Sequence, residues 1–282
     1  MKIIFIADFF VDEVPGGGEL NNEELISLFN NTKNYYNEIA KIKSSDVSLN
    51  FIKENLNCSF IVSNFINLHP ECKDLLEKEC HYVIYEHDHK YLINRNPARF
   101  KDFLAPKEAI VNYDFYKNAK AVFCQSSFHS EIVKKNLNLD NIISLGGNLW
   151  DTSTLEKMID FAKKDKREIC SIMNSPISHK NPIGAVNYCK KQNLNFELIN
   201  PCTYYEFLDK ISNNDTFVFF PQTPETLSRV VVEARMMNMK VITNSLVGAS
   251  GEDWFKLKGE PLISFFQNKR EEILRTVGDY LK

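Results

Sequence analysis

The sequence lacks any apolar run near the ~20 residues a membrane-spanning helix needs. It has no Cys-x-x-Cys. Its seven cysteines (Cys58, Cys72, Cys80, Cys124, Cys170, Cys189 and Cys202) follow no paired spacing. An odd set of that kind, with no signal segment, argues for reduced thiols in a cytosolic compartment. Neither sign of charge dominates. A net charge of -3 over 282 residues offers no footing for nucleic acid. Lys134 and Lys135 on one helix are too few for a basic patch, so peripheral membrane contact is unsupported. No G-x-G-x-x-G follows a strand pattern, which disfavours an NAD-dependent oxidoreductase. Internal repeats, low-complexity tracts and long linkers are absent. Residues 3–7 form a short apolar run ending in Asp8, which reads as a first strand and not as a signal segment.

What is present is ordinary globular material, 44% apolar and 25% charged. The abundance of Asn and Lys is read as base composition. Short apolar runs alternate with helical spacing along the whole chain. Strands are expected at 3–7, 38–42, 59–63, 82–85, 121–124 and 142–145. Helices are expected at 20–29, 47–55, from Pro70 to about Lys78, 107–118, and 128–137 capped by Ser127. A second series then starts: helix 154–163, strand 169–173, helix 182–191, strand 196–199, helix 204–211, strand 217–220, a helix from Glu225, and strand 240–243. A last short strand is expected at 262–265, and a closing helix at 269–281 with Leu274, Val277 and Leu281 on one stripe. This alternation is that of α/β doubly wound parallel sheets. Two series imply two Rossmann-like lobes with a cleft between them, residues 1–150 and 151–282, the last helix being free to pack back on the N-terminal lobe.

The stretch from Glu225 to Glu233 organises the second series. If the helix begins at Glu225, the two carboxylates lie roughly 12 Å apart along its axis and are offset by only about 80° around it. The backbone N–H groups of Thr226, Leu227 and Ser228 then point out of the helix start, where phosphate is attracted. One ligand could meet both acids, with an anion site between them. Two solvated glutamates on a surface helix fit the same residues. Asn238 sits where a left-handed C-cap is wanted.

Other residues carry possible chemistry. Gly16, Gly17 and Gly18 follow the first strand and let a phosphate or sugar approach the backbone, or make a mere flexible turn. His87, Asp88 and His89 follow the strand at 82–85, at the end where ligands bind in parallel sheets. His87 and Asp88 fit proton transfer or a grip on a sugar hydroxyl, and equally a polar strand end. No third clustered ligand accompanies them, so no metal is expected. Lys180 lies in a strand-to-helix loop, where a cation meets a diphosphate, although a solvated lysine fits too. Arg229, on the first turn of the Glu225 helix, opposes the helix dipole and so favours an anionic partner. Ser126 and Ser127 read as an N-cap pair first.

In this order the motifs resemble the retaining glycosyltransferases of the GT-B fold, family 4-like. The matching stretches are Gly-Gly-Gly-Glu at 16–19, the His-Asp strand end at 87–88, residues 119–127, Gly-Gly-Asn at 146–148, His-Lys-Asn at 179–181, and the Glu-x₇-Glu of 225–233. The last is the most specific. The resemblance implies a nucleotide sugar as substrate, with no cofactor and no metal. It also implies a hexosyltransferase acting on an unknown sugar, lipid or protein acceptor. It gives Glu225 the donor sugar and Glu233 the ribose. Lys180 and the amides of Thr226, Leu227 and Ser228 receive the diphosphate. Gly16 to Gly18 approach the diphosphate and sugar, and His87 with Asp88 stands near the reacting sugar. Two departures are evident. The family's arginine shortly before the lysine is replaced by Asn174 and Ser175, for which Arg229 is the candidate substitute. The family's glycines after the first glutamate are Thr226 and Ser228. The chain is also short for two such lobes; the missing arginine and the short N-terminal lobe leave a catalytically inactive sugar-nucleotide-binding or scaffold protein as the alternative.

Overall fold

A computed structural model describes residues 2–32 and 38–282. Contacts divide the chain into two compact units: Met1–Leu149 with Arg270–Lys282, and Trp150–Lys269. No helix among the described residues is long and apolar enough to cross a membrane.

The first unit is a six-stranded parallel sheet. In chain order its elements are β1 (Lys2–Ala7), α1 (Gly17–Asn31), β2 (Glu38–Lys43), α2 (Leu49–Glu54), β3 (Ser59–Val62), α3 (Pro70–Glu79), β4 (His81–Tyr85), α4 (Tyr113–Asn118), β5 (Val122–Cys124), α5 (Ser127–Leu137) and β6 (Ile142–Ser144). The strands lie in the order β2-β1-β3-β4-β5-β6. The unbroken apolar runs in sequence are explained by burial of both faces. Ile4, Ile6, Phe60, Val62, Tyr82 and Ile84 face one helical layer. Ile3, Phe5, Ile61, Val83 and Tyr85 face the other, which includes Leu25, Ile26 and Phe29 of α1.

The second unit holds α6 (Thr152–Ala162), β7 (Arg167–Met173), α7 (Pro182–Lys191), β8 (Phe196–Ile199), α8 (Tyr204–Ser212), β9 (Asn214–Phe219), α9 (Arg229–Met236) and β10 (Lys240–Thr243). α10 (Glu260–Asp279) follows. Its four parallel strands run β10-β9-β7-β8. Phe217 and Phe219 of β9 enter one core with Val231 and Val232, and Val218 enters the other with Ala185 and Cys189.

Several expectations need correction. The stretch at 262–265 is helical, inside α10. Leu262, Ile263 and Phe266 are buried in the second unit's core, at the i, i+1, i+4 positions of a helical stripe, and the period of four residues was too short to tell from a strand. The helix expected at 107–118 is a 3₁₀ turn, Lys107–Ala109, and a separate α4, because Asn112 takes the left-handed conformation between them (φ 56°). α5 is capped by Ser126, whose hydroxyl accepts from the His129 N–H, and not by Ser127. Gly16 is the N-cap of α1, while Gly17 and Gly18 belong to its first turn. The Glu225 helix begins only at Arg229.

The closing helix ends in the first unit's core, where Ile273, Val277 and Leu281 are buried beside Ile3 and Phe5. Ser59 Oγ donates to the Leu281 carbonyl at 2.8 Å, and His81 Nε2 donates to that of Tyr280 at 2.7 Å. Leu281→Ala should therefore cost about 2–5 kcal/mol, the range for a fully buried leucine. Urea unfolding followed by far-UV circular dichroism measures it. A loss below about 1 kcal/mol would mean the chain end is not part of this core.

Candidate functional site

The winding of each sheet says where ligand-binding groups can collect. In the second unit β7 and β9 are neighbours, yet β7 connects to β8 on one side and β9 to β10 on the other. Loops that leave adjacent strands in opposite directions open a crevice at the strands' carboxyl ends. Lys180 lies in the loop after β7 and Glu225 in the loop after β9. Lys180 Nζ sits 2.8 and 2.9 Å from the two carboxylate oxygens of Glu225. Both side chains are only partly exposed, at 24% and 12%. The two loops are also stitched by backbone: Gln222 N–H donates to the His179 carbonyl, and Asn181 Nδ2 donates to that of Phe220.

Glu225 is not helical. It forms a one-residue parallel bridge with Val247. Its N–H donates to the Leu246 carbonyl at 2.8 Å, and its own carbonyl accepts from Gly248 at 2.9 Å. The carboxylate therefore hangs from a short extended segment, and the expected alignment of two acids on one helix does not exist. Leu227 is fully buried in the core and does not offer its side chain to a ligand. Ser228 is the N-cap of α9 at φ 73°, ψ 83°, a left-handed conformation that costs a non-glycine residue about 1–2 kcal/mol. Its hydroxyl is buried without a hydrogen-bond partner, which adds to that cost. Asn238 takes the expected left-handed turn after α9, at φ 64°.

Glu233 lies in the core of this unit, 2% exposed. Its Oε1 accepts from Trp150 Nε1 at 2.9 Å and from the Tyr204 hydroxyl at 2.6 Å. Burial and the Glu233 charge push the Tyr204 hydroxyl pKa well up, so it stays a donor. Arg229 Nε is 3.4 Å from the same oxygen, and its guanidinium lies 4.4 Å over the Trp150 ring. Arg229 was expected to meet an anionic ligand; here it is held by Glu233 and Trp150. Sequence reasoning missed Trp150 and Tyr204. Trp150 was the available signal, being one of only two tryptophans and standing just before the second series.

In the first unit the reversal falls between β1 and β3. Asp8 follows β1 and accepts the N–H groups of Ile66 and Asn67, both at 2.9 Å, in the loop after β3. His87, two residues past β4, is set among amides. Its Nε2 donates to Asn22 Oδ1 at 2.6 Å, and Gln125 Nε2 donates to its Nδ1. The Tyr85 ring packs edge-on at 4.9 Å. A Cβ on Gly18 would lie 3.5 Å from the His87 ring, so the structure brings the glycine turn against this histidine. Asp88 does not join it: its carboxylate pairs with Arg95 at 3.2 Å. Glu86 is buried against Lys90 and Tyr116, and burial pushes its carboxyl pKa up. Asn22 and Gln125 were also missed. Asn22 lies on the stripe of Leu25, Ile26 and Phe29, a polar residue where helical spacing calls for an apolar one. Among the described residues no cluster of His, Cys, Asp and Glu is placed to hold a metal ion.

No family model matches this chain, and no curated protein sequence does. Solved structures match along its full length. The lipopolysaccharide outer core galactosyltransferase WaaB, in apo form, aligns with 100% of this chain and 92% of its own, at 14% identity and a TM-score of 0.56. The HepE protein of Anabaena, in complex with UDP and glucose, aligns over 100% and 92% at 12% identity and a TM-score of 0.54. The same protein in complex with UDP-glucose gives a TM-score of 0.51 at 12% identity. The fold is GT-B. At these identities the likeness extends to the fold alone.

His89 and His129 lie beside this region with rings 5.1 Å apart. Burial, with Lys90 adding to it, pushes the His89 pKa down to about 3. Burial, then His89, pushes His129 well below its usual value. A histidine that stays neutral when folded but protonates when unfolded loses stability as pH falls. From about pH 6.5 downward each should cost about 1.4 kcal/mol per pH unit. An NMR titration should find both rings neutral at pH 5. A ring that titrates near 6.5 would contradict the burial.

Proposed function

We propose that this protein is a nucleotide-sugar-dependent glycosyltransferase that holds its donor on the second unit and its acceptor on the first. One observation carries the reading: Lys180 and Glu225, far apart in sequence, meet at the carboxyl ends of β7 and β9. A cation and an acid at that place fit a diphosphate and a sugar hydroxyl respectively. The resemblance assigned them those same two roles. The structures with the same fold add support, since HepE was crystallised with UDP and with UDP-glucose.

In the proposed reaction the bond from the sugar's anomeric carbon to the donor phosphate breaks, and the leaving diphosphate takes the electron pair. Lys180 would offset the growing charge; the N–H groups of Thr226 to Ser228, which precede α9 and do not form its first turn, keep that role only by the resemblance. The Ser228 hydroxyl would give one further hydrogen bond to a phosphate oxygen, which explains keeping a buried, unpartnered donor in a strained position. Ligand binding would have Lys180 share its charge between Glu225 and the phosphate. The resemblance gives His87, set between Asn22 and Gln125 and packed beside Gly18, a place near the transferred sugar. Retention of configuration, metal independence, hexosyl transfer and a cytoplasmic location belong to the same proposal and rest on the resemblance.

The test is turnover with a panel of UDP-, GDP- and ADP-sugars. Lys180→Ala and Glu225→Gln should each lower it by roughly 10²-fold or more. Parental turnover in both would sink the assignment. Ser228→Gly adds a sharper check. It relieves the left-handed strain, so its melting temperature should equal or exceed the parent's, while donor affinity drops about tenfold for the lost hydrogen bond. Unchanged affinity would remove Ser228 from the site.

A second reading, a sugar-nucleotide-binding protein without turnover, is favoured by the state of Glu233. This acid is 2% exposed and its Oε1 already accepts from Trp150 and Tyr204, so a ribose hydroxyl would have to displace core packing to reach its other oxygen. Calorimetry separates the two readings: binding of a nucleotide sugar with no product after long incubation selects the second.

A further inference from the structure

Cys58 and Cys80 stand directly before two neighbouring strands of the first unit. β3 and β4 pair in parallel, with Ser59 opposite His81, so the residues preceding them stand side by side at the amino ends of the two strands. Side chains two residues apart share a face of a strand. Cys58 and Phe60, and likewise Cys80 and Tyr82, pack on one and the same core cluster, which puts both thiols on one face. Neighbouring strands lie about 4.8 Å apart, inside the roughly 4.4–6.8 Å between Cα atoms that a disulfide spans. Both cysteines are half-buried, while Cys72, Cys124, Cys170 and Cys189 are buried.

We propose that Cys58 and Cys80 form an oxidisable pair, a modification site that closes to an intramolecular disulfide by exchange with a small disulfide such as oxidised glutathione. The thiolate of Cys58, at the bend after α2, attacks one sulfur of the reagent. Its S–S bond breaks, one glutathione leaves as thiolate, and the other stays on Cys58 as a mixed disulfide. The Cys80 thiolate then attacks the Cys58 sulfur and expels the second glutathione. Two thiols are oxidised, one disulfide is reduced, and two protons are released.

Cys80 controls the second step. Burial, followed by the charges of Glu79 and Cys58, pushes its pKa up to about 11, so closure is slow at neutral pH and quickens as pH rises. The bond would brace two strand ends whose next residues, Ser59 and His81, already hold the last turn of the chain through the Leu281 and Tyr280 carbonyls. A second close pair serves as an internal control. Cys170 and Cys189 share one small buried cluster, but both lie inside the core between β7 and α7, where a dissolved disulfide does not reach.

The test uses the intact chain under native conditions, incubated with oxidised glutathione at about pH 8, alkylated, digested without reductant, and read by mass spectrometry. The expected product is a cross-linked peptide pair joining Cys58 to Cys80, about 2 Da lighter than the two reduced peptides together, with Cys170 and Cys189 alkylated. Cys80→Ser should stop the reaction at the glutathione adduct on Cys58. Three results would overturn the proposal. Cys58 and Cys80 could both stay alkylated, or the parent could retain glutathione on Cys58 with Cys80 free. Cross-linking of Cys170 to Cys189 to the same extent would show opening of the fold and not a built pair.

Discussion

The parallel pairing of β7 with β9 fixes the chemistry available to the second unit. The chain winds away from these strands in opposite directions, and the loops at residues 174–181 and 220–228 meet at their carboxyl ends. Lys180 and Glu225 meet there with little of either side chain in water. A fully exposed ion pair contributes about 0–1 kcal/mol; a partly desolvated pair interacts more strongly and loses more when one member is removed. Such a pair is an inefficient way to stabilise a fold. It does place two opposite charges side by side, partly shielded from water, at the carboxyl ends of β7 and β9.

Much of this arrangement was legible in the chain. Buried strands announced themselves as apolar runs such as Ile3 to Ala7 and Phe217 to Phe219, because both sheet faces are covered. Helices with sharp stops were also clear: Pro182 at the first helical position set the start of α7. What failed shares one cause, a tertiary contact overriding a local pattern. Residues 225–228 have helical spacing, but the Leu246–Gly248 segment draws Glu225 into extended pairing and delays α9 by four residues. Residues 262–265 are apolar enough for a strand and are helical because three of their side chains, Leu262, Ile263 and Phe265, meet the core at helical spacing together with Phe266. The burial of Glu233 was invisible for the same reason. Nothing near it in sequence foretold Trp150 and Tyr204 as its partners.

The two places where this chain departs from the family it resembles each have a structural counterpart. Where a glycine is usual, Ser228 stands in a left-handed conformation that glycine adopts freely. The chain accepts that strain and gains a hydroxyl. Arg229, the candidate for the absent arginine's charge, stacks on Trp150 and pairs with Glu233. The two acids do not share one helix: Glu225 pairs with Lys180 in the loops, and Glu233 is withdrawn into a cage of aromatic and guanidinium groups.

The asparagines merit a different explanation from base composition. Among the described residues, Asn112, Asn138, Asn181, Asn193 and Asn238 all take positive φ, against only Gly146 and Gly259 among the glycines. Each ends or begins a helix where a left-handed residue is required. Asn181 does more, accepting the Gly184 N–H through its own side chain at 3.1 Å. A chain that draws its turns from asparagine has fewer backbone conformations to lose when it folds than one using glycine at the same points. Scarcity of glycine thus becomes a contribution to foldability: the punctuation of this protein is written with a residue that restrains the disordered chain while still permitting the turn.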